Sequence, residues 1–229
     1  MILMKLFLAL CVALISCGVA AANESATSVE SDEIQPRSLG STWEYSSYYF
    51  EGDTMVSGGT AQERVVGVQE LDGVKIYRVE LVTDWRTLFE RLSGASLDAD
   101  AYSYFWEYNS AEGSHHFSEN EQGATPPGSL EHFSLTLPYP VEVGFKYHAD
   151  ESEYEVIAVD RKIEVAAGQF EVVVYQFETQ YSDAPEDSDR QRLFMGPGVG
   201  LVRWEMDVKD ENGKWVLDCR DDLFSYEIK

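Results

Sequence analysis

The run Gly196-Pro197-Gly198-Val199-Gly200 holds three glycines in five positions, and a loop of this kind can aim its backbone N–H groups at a phosphate. That chemistry needs a helix N-terminus behind the loop and, for a nucleotide, a Lys and a Ser or Thr directly after it. Here Leu201-Val202-Arg203-Trp204-Glu205-Met206 follows, which alternates like a strand, and Pro197 removes one donor. The glycines are therefore expected to support a bend that feeds a strand.

The other reactive residue types give no stronger pattern. The four histidines are His115, His116, His132 and His148, and the adjacent pair would point its side chains apart on a strand. Zinc needs about four converging ligands, and no spacing of His115, His116 and Glu119 with other ligands supplies them. The acidic stretches Asp183–Asp189 and Asp207–Gly213 carry oxygen ligands suited to calcium, but Pro185 interrupts one and Lys209 falls where an acid is wanted in the other. They are expected to be a solvated loop and a hairpin turn. No Ser sits in a nucleophile elbow. Carboxylate pairs could serve a glycosidase, although 41 acidic residues make some pairing inevitable. Cys219 is expected to be a buried filler. No catalytic residue, metal ligand or cofactor is assigned.

The aromatic residues are more suggestive. Tyr45, Tyr48 and Tyr49 lie in one predicted strand, and Tyr102, Tyr104, Phe105, Trp106 and Tyr108 in another. Tyr102, Tyr104, Trp106 and Tyr108 are the candidate contacts for an apolar ligand or a protein partner, on the concave face of a curved sheet.

The chain that carries them opens with Lys5, an apolar run from Leu6 to Ile15 and small residues, the pattern of a secretory signal peptide spanning residues 1–22. Two processing sites compete. Leu14-Ile15-Ser16-Cys17 resembles a lipobox, which would make Cys17 a lipidated N-terminus and anchor the protein in a membrane. Ala20-Ala21-Ala22 would suit ordinary cleavage and leave Asn23 first. Loss of Lys5 leaves 16 basic against 41 acidic residues, a net charge of −25. Such a chain repels nucleic acid, whose affinity comes largely from neutralised phosphates. Of the three cysteines, Cys11 leaves with the signal and Cys17 is the candidate for lipidation, so no disulfide framework is expected.

Residues 23–39 are polar and acidic and are expected to form a flexible tether, followed by one domain over residues 40–229. In that domain short runs rich in Val, Ile, Tyr, Phe and Trp alternate with turn residues. Trp43–Phe50, Glu63–Gln69, Val74–Thr83, Ala101–Asn109, Leu130–Leu137, Gly144–Tyr147, Glu153–Asp160, Arg161–Ala166, Gln169–Thr179, Leu201–Val208, Lys214–Asp218 and Leu223–Ile228 are the predicted strands. Asp72-Gly73 and Asp210–Gly213 mark hairpin turns, and a bulge is expected near Tyr77-Arg78. Asp84–Leu92 is the one segment with helical spacing. The expected fold is all-β: a single curved antiparallel sheet or half-barrel with one short helix.

Ile163-Glu164-Val165-Ala166-Ala167-Gly168-Gln169-Phe170 and Gly198-Val199-Gly200-Leu201-Val202 resemble a pattern in exported bacterial β-rich domains of unknown function, the TapB-like group among them. Leu137-Pro138-Tyr139-Pro140 to Gly144-Phe145 and Gly40-Ser41-Thr42-Trp43-Glu44-Tyr45 are similar to that group's proline-to-glycine turn and first strand. Ala166 stands where proline is commoner. The resemblance implies a curved antiparallel sheet and an envelope role, and it names neither ligand nor reaction.

These readings converge on an exported protein of the bacterial cell envelope, lipid-anchored on the periplasmic side, at the outer membrane, or secreted. The leading expectation is a non-catalytic binding or assembly module for an apolar ligand or an envelope protein partner. A carboxylate-based hydrolase of envelope glycans and a purely structural envelope lipoprotein are the alternatives.

Overall fold

The computed structural model describes residues 33–84, 101–118, 125–149, 152–181 and 184–229. Twelve strands among them form one antiparallel sheet, nearly closed into a barrel. They are β1 (Thr42–Glu51), β2 (Thr54–Leu71), β3 (Val74–Asp84), β4 (Ala101–Ser110), β5 (Gly113–Phe117) and β6 (Ser134–Pro138). The second half comprises β7 (Lys146–Ala149), β8 (Ser152–Val165), β9 (Gly168–Tyr181), β10 (Ala184–Gly196), β11 (Gly200–Lys209) and β12 (Trp215–Glu227). The order across the sheet is β6-β5-β4-β3-β2-β1-β12-β11-β10-β9-β8-β7. Each half is thus a meander of hairpins, and β1 against β12 joins them.

Two short strands, β6 and β7, close the sheet upon itself through side chains in place of a ladder. The Tyr147 hydroxyl donates to the Thr136 carbonyl and the Tyr175 hydroxyl to the Pro138 carbonyl, each at 2.7 Å. Inside, Trp43, Tyr45, Val65, Val79, Val156, Tyr175, Phe194, Trp204 and Leu223 are buried in one continuous core. This packing leaves the barrel filled by its own side chains. A small satellite core of Ile76, Trp106 and Phe133 lies on the other face of the sheet.

Local chemistry explains the turns. Asp72 and Gly73 both adopt positive φ, 51° and 80°, as a two-residue hairpin between right-twisted strands requires. The bulge falls on β2 opposite Arg78, where the register moves between Val65 and Gly67, so the irregularity belongs to the partner of the expected strand. Predicted strands at Glu153–Asp160 and Arg161–Ala166 are one strand, β8, with Asp160 at φ 54° and register shifts on its way to Arg161. The expected helix over Asp84–Leu92 lies outside the described residues, except for Asp84, which ends β3. The only helical turn among the described residues is a single 3-10 turn at Leu130–His132, capped by the Ser129 hydroxyl.

The end of the expected tether lies in the fold. Ile34, Gln35 and Arg37 are 1%, 7% and 5% exposed, so the chain from residue 34 onward belongs to the folded domain. Ile34 joins the main core, and Arg37 carries a charge into the barrel where acidic partners receive it.

Candidate functional site

The two faces of β4 place the aromatic candidates. Side chains alternate along a strand, so Phe105 and Glu107 point one way and Tyr104, Trp106 and Tyr108 the other. Phe105 packs against the main core, which identifies its face as the inner one. The aromatic candidates therefore stand on the outer face of the barrel, not on the concave one. Tyr102 pairs with Val82 on β3.

Outer-face neighbours differ along the strand. Trp106 is 2% exposed and packs with Ile76 and Phe133. Tyr108 meets Phe133 edge-on at 5.0 Å and stacks on His115 at 4.4 Å. Tyr104 is half-buried; its hydroxyl donates to Glu80 at 2.7 Å while the Arg78 guanidinium lies over its ring at 4.2 Å. Arg64 adds a bond to Glu80 from its Nε at 3.1 Å. Burial would raise the Glu80 carboxyl, but the bonds from Tyr104 and Arg64 outweigh it and hold it below the usual carboxylate range.

The inner face holds a cluster that reasoning from sequence missed. Arg37 Nε contacts Glu107 Oε2 at 2.5 Å, Arg37 Nη2 pairs with Glu63, and the guanidinium lies 4.8 Å from the centre of the Trp43 ring. The Arg37, Glu63 and Glu107 side chains are 1%, 1% and 6% exposed. His116 Nδ1 lies 3.7 Å from Glu107 Oε1. Burial raises the Glu63 carboxyl above its usual range despite Arg37. Glu107 is penalised by burial as well, yet Arg37 and His116 together hold it low. Two carboxylates pushed apart in this way would suit acid–base chemistry. Both are buried inside the barrel, however, and share one arginine.

The two adjacent histidines do point apart, but on β5 and not in a loop: His115 stacks outside on Tyr108, and His116 faces Glu107 within. Among the described residues no group of three or more His, Cys, Asp or Glu side chains is placed to hold a metal. Asp210 accepts on its Oδ1 from the backbone N–H groups of Asn212 and Lys214, each at 2.9 Å, within its own hairpin turn. The Asp183–Asp189 stretch opens β10 from Ala184 onward and is not the expected loop. Cys219 is buried and its Sγ donates to Asp218 at 3.2 Å.

The glycine run is the β10–β11 turn. Gly198 and Gly200 sit at φ 75° and 100°, values an L side chain resists. Its donors have a use other than phosphate: Gly198 N–H bonds the Glu33 carbonyl at 2.8 Å, and the Val199 carbonyl accepts from Trp43 Nε1 at 2.7 Å. A Cβ on Gly200 would meet Gln35 Cγ at 3.6 Å, so the bare turn also lets the N-terminal segment lie close against it.

A second buried acid, Asp221, accepts a bond from the Ser47 hydroxyl, and burial raises its carboxyl well above the usual range. A raised carboxyl costs stability as pH rises, because the unfolded chain gives up its proton first. Asp221→Asn keeps an acceptor for Ser47 and removes that cost. Its thermal midpoint should rise by roughly 3–6 °C at pH 8, with no gain at pH 4, measured by calorimetry across pH.

No protein-family model matches the chain, and no curated protein matches it. Two solved structures share its architecture. One is described as "a putative lipoprotein from Parabacteroides distasonis": 17% identical, TM-score 0.55, over 87% of this chain and 100% of the other. The second is described as a "putative exported protein with YmcC-like fold" from Bacteroides fragilis: 14% identical, TM-score 0.54, over 85% of this chain and 98% of the other. No family match stands behind the TapB-like resemblance. At these identities the likeness is one of fold.

Proposed function

We propose that this protein is a non-catalytic module of the bacterial envelope, anchored through a lipid on Cys17, that works by holding a partner against its outer surface. The filled barrel carries this reading. An interior occupied by Trp43, Tyr45, Tyr175, Phe194, Trp204 and the inserted Arg37 leaves the outer face of β4 as the place for contact. Tyr104 and Tyr108, both half-buried there, present aromatic edges beside Arg78 and His115. Tyr102 is proposed as a further contact on the same strand. The leader-like N-terminus and the descriptions of the two similar structures, a lipoprotein and an exported protein, support the location.

Photo-crosslinking in intact cells tests the face, and the mass of the extracted protein tests the anchor. A crosslinker at position 104 should capture one discrete adduct, whereas one at Lys162, whose side chain is 82% exposed on β8, should not. The intact mass should show a diacylated Cys17. A chain that begins at Asn23 would remove the anchor, and absence of an adduct at both 104 and 108 would remove the partner face.

A further inference from the structure

Glu63 stands on β2 and Glu107 on β4, with β3 between them. The register sets Glu63 opposite Leu81 and Glu107 opposite Tyr77, four residues apart along β3, so the two side chains reach toward one another along the inner face to meet at one point. That point is a guanidinium. Arg37 gives its Nε edge to Glu107 at 2.5 Å and its Nη2 to Glu63, and lays its plane near the Trp43 ring. A planar fork with several fixed donors meets two carboxylates on different edges while stacking on an aromatic ring, and a compact ammonium cannot do all three.

The segment that delivers this group is not part of the sheet. Residues 33–38 lie before β1 and add no strand to it. Apart from the side chains of Ile34 and Arg37, the segment is held by the Gly198 bond to the Glu33 carbonyl and by Asn109 Nδ2 bonding the Gln35 carbonyl at 2.7 Å. Pro36 has no N–H to give. The segment, bent at Ile34 and Gln35, thus lies in the barrel mouth as a peptide ligand lies in a receptor: backbone carbonyls bonded at the rim, an apolar side chain in the core and one charged head in a matched pocket.

We infer that the barrel mouth is a receptor for a guanidinium carried on a short peptide segment, and that the chain fills it in cis with its own Ile34–Arg37. The occupant leads directly into the N-terminal region, so occupancy ties that region to the barrel core. A segment with an apolar residue three positions before an arginine, as Ile34 stands before Arg37, is the kind of ligand that would compete for the mouth.

The test is chemical rescue of the full-length Arg37→Ala variant, followed by its thermal midpoint. The variant should melt far below the wild type, and about 10 mM ethylguanidinium should raise its midpoint by roughly 3 °C or more. Ethylammonium at the same concentration should not, and the wild type and an R37A/E63Q/E107Q variant should not respond to either. If Arg37→Ala does not fold, ethylguanidinium should restore the folded signal. No rescue in either form, or equal rescue by ethylammonium, overturns the receptor.

Discussion

Trp106→Ala should destabilise the protein by about 3–5 kcal/mol, while Tyr104→Ala, two residues away on the same face, should cost less than about 1 kcal/mol. Trp106 is 2% exposed and sits between Ile76 and Phe133, with Leu71, Phe117 and Leu130 around it. Among the described residues few other groups cover this side of the sheet, so removing the indole opens a cavity that its neighbours cannot collapse into without pulling the 130–133 turn away from β4. Tyr104 by contrast loses one hydroxyl bond to Glu80 Oε1, on a carboxylate whose Oε2 Arg64 still bonds, and a half-exposed contact with Arg78. At about 2–4 °C per kcal/mol for a chain of this size, denaturant or thermal melts separate the two variants easily. The difference matters for function. If Tyr104→Ala abolishes crosslinked partner at unchanged stability, the outer face binds; a loss of partner confined to Trp106→Ala would report only unfolding of the satellite core.

How far the sequence speaks depends on which physical signal each segment carries. Gln169–Thr179 was legible because Val172, Val173, Val174 and Tyr175 are apolar on both faces, and all four are buried in β9. The Asp72-Gly73 and Asp210–Gly213 turns were legible because they need positive φ or an aspartate that bonds its own turn. Strand β10 was not legible, since Asp189, Arg190, Gln191 and Arg192 read as solvated polar residues. In the barrel Gln191 accepts from Trp204 Nε1 at 3.1 Å and donates to Asp189 at 3.0 Å, while Arg190 and Arg192 bond Asp207 on β11. Cross-strand partners make these polar residues good strand formers, and partners far apart in sequence leave no local pattern.

The same reason hid the inner cluster. Arg37 looked like the end of a tether because its neighbours are acidic and polar, and nothing near it in sequence announces Glu63 or Glu107. Ile34 and Pro36, breaking an otherwise hydrophilic run, were the one available hint. The aromatic strand was found but its faces were not, because Phe105 and Glu107 alternate with Tyr104, Trp106 and Tyr108 and both sets contain bulky rings. Only the packing of Phe105 against the main core decides which set looks inward.

Arg37→Met should cost about 3–5 kcal/mol at neutral pH, as expected when one member of a buried ion cluster is removed and charge is left uncompensated. Methionine fills most of the space, so the loss is electrostatic and not a cavity effect. Without Arg37, Glu63 and Glu107 are left on the same inner face with His116 beside Glu107, and Tyr45 and Asp221 add burdens of their own nearby. Both carboxyls would then be raised in the folded state, so the variant's deficit should shrink toward pH 4, where protonation relieves it, and widen toward pH 8. The triple variant R37M/E63Q/E107Q should recover most of the stability and lose that pH dependence, because neutral amides need no counter-charge. Equilibrium unfolding in urea at pH 4, 6 and 8 checks all three forms. A pH-independent loss in Arg37→Met that the glutamines fail to repair would mean that the N-terminal segment is held by packing of Ile34 alone, and that the arginine's place among the acids contributes nothing to closing the barrel.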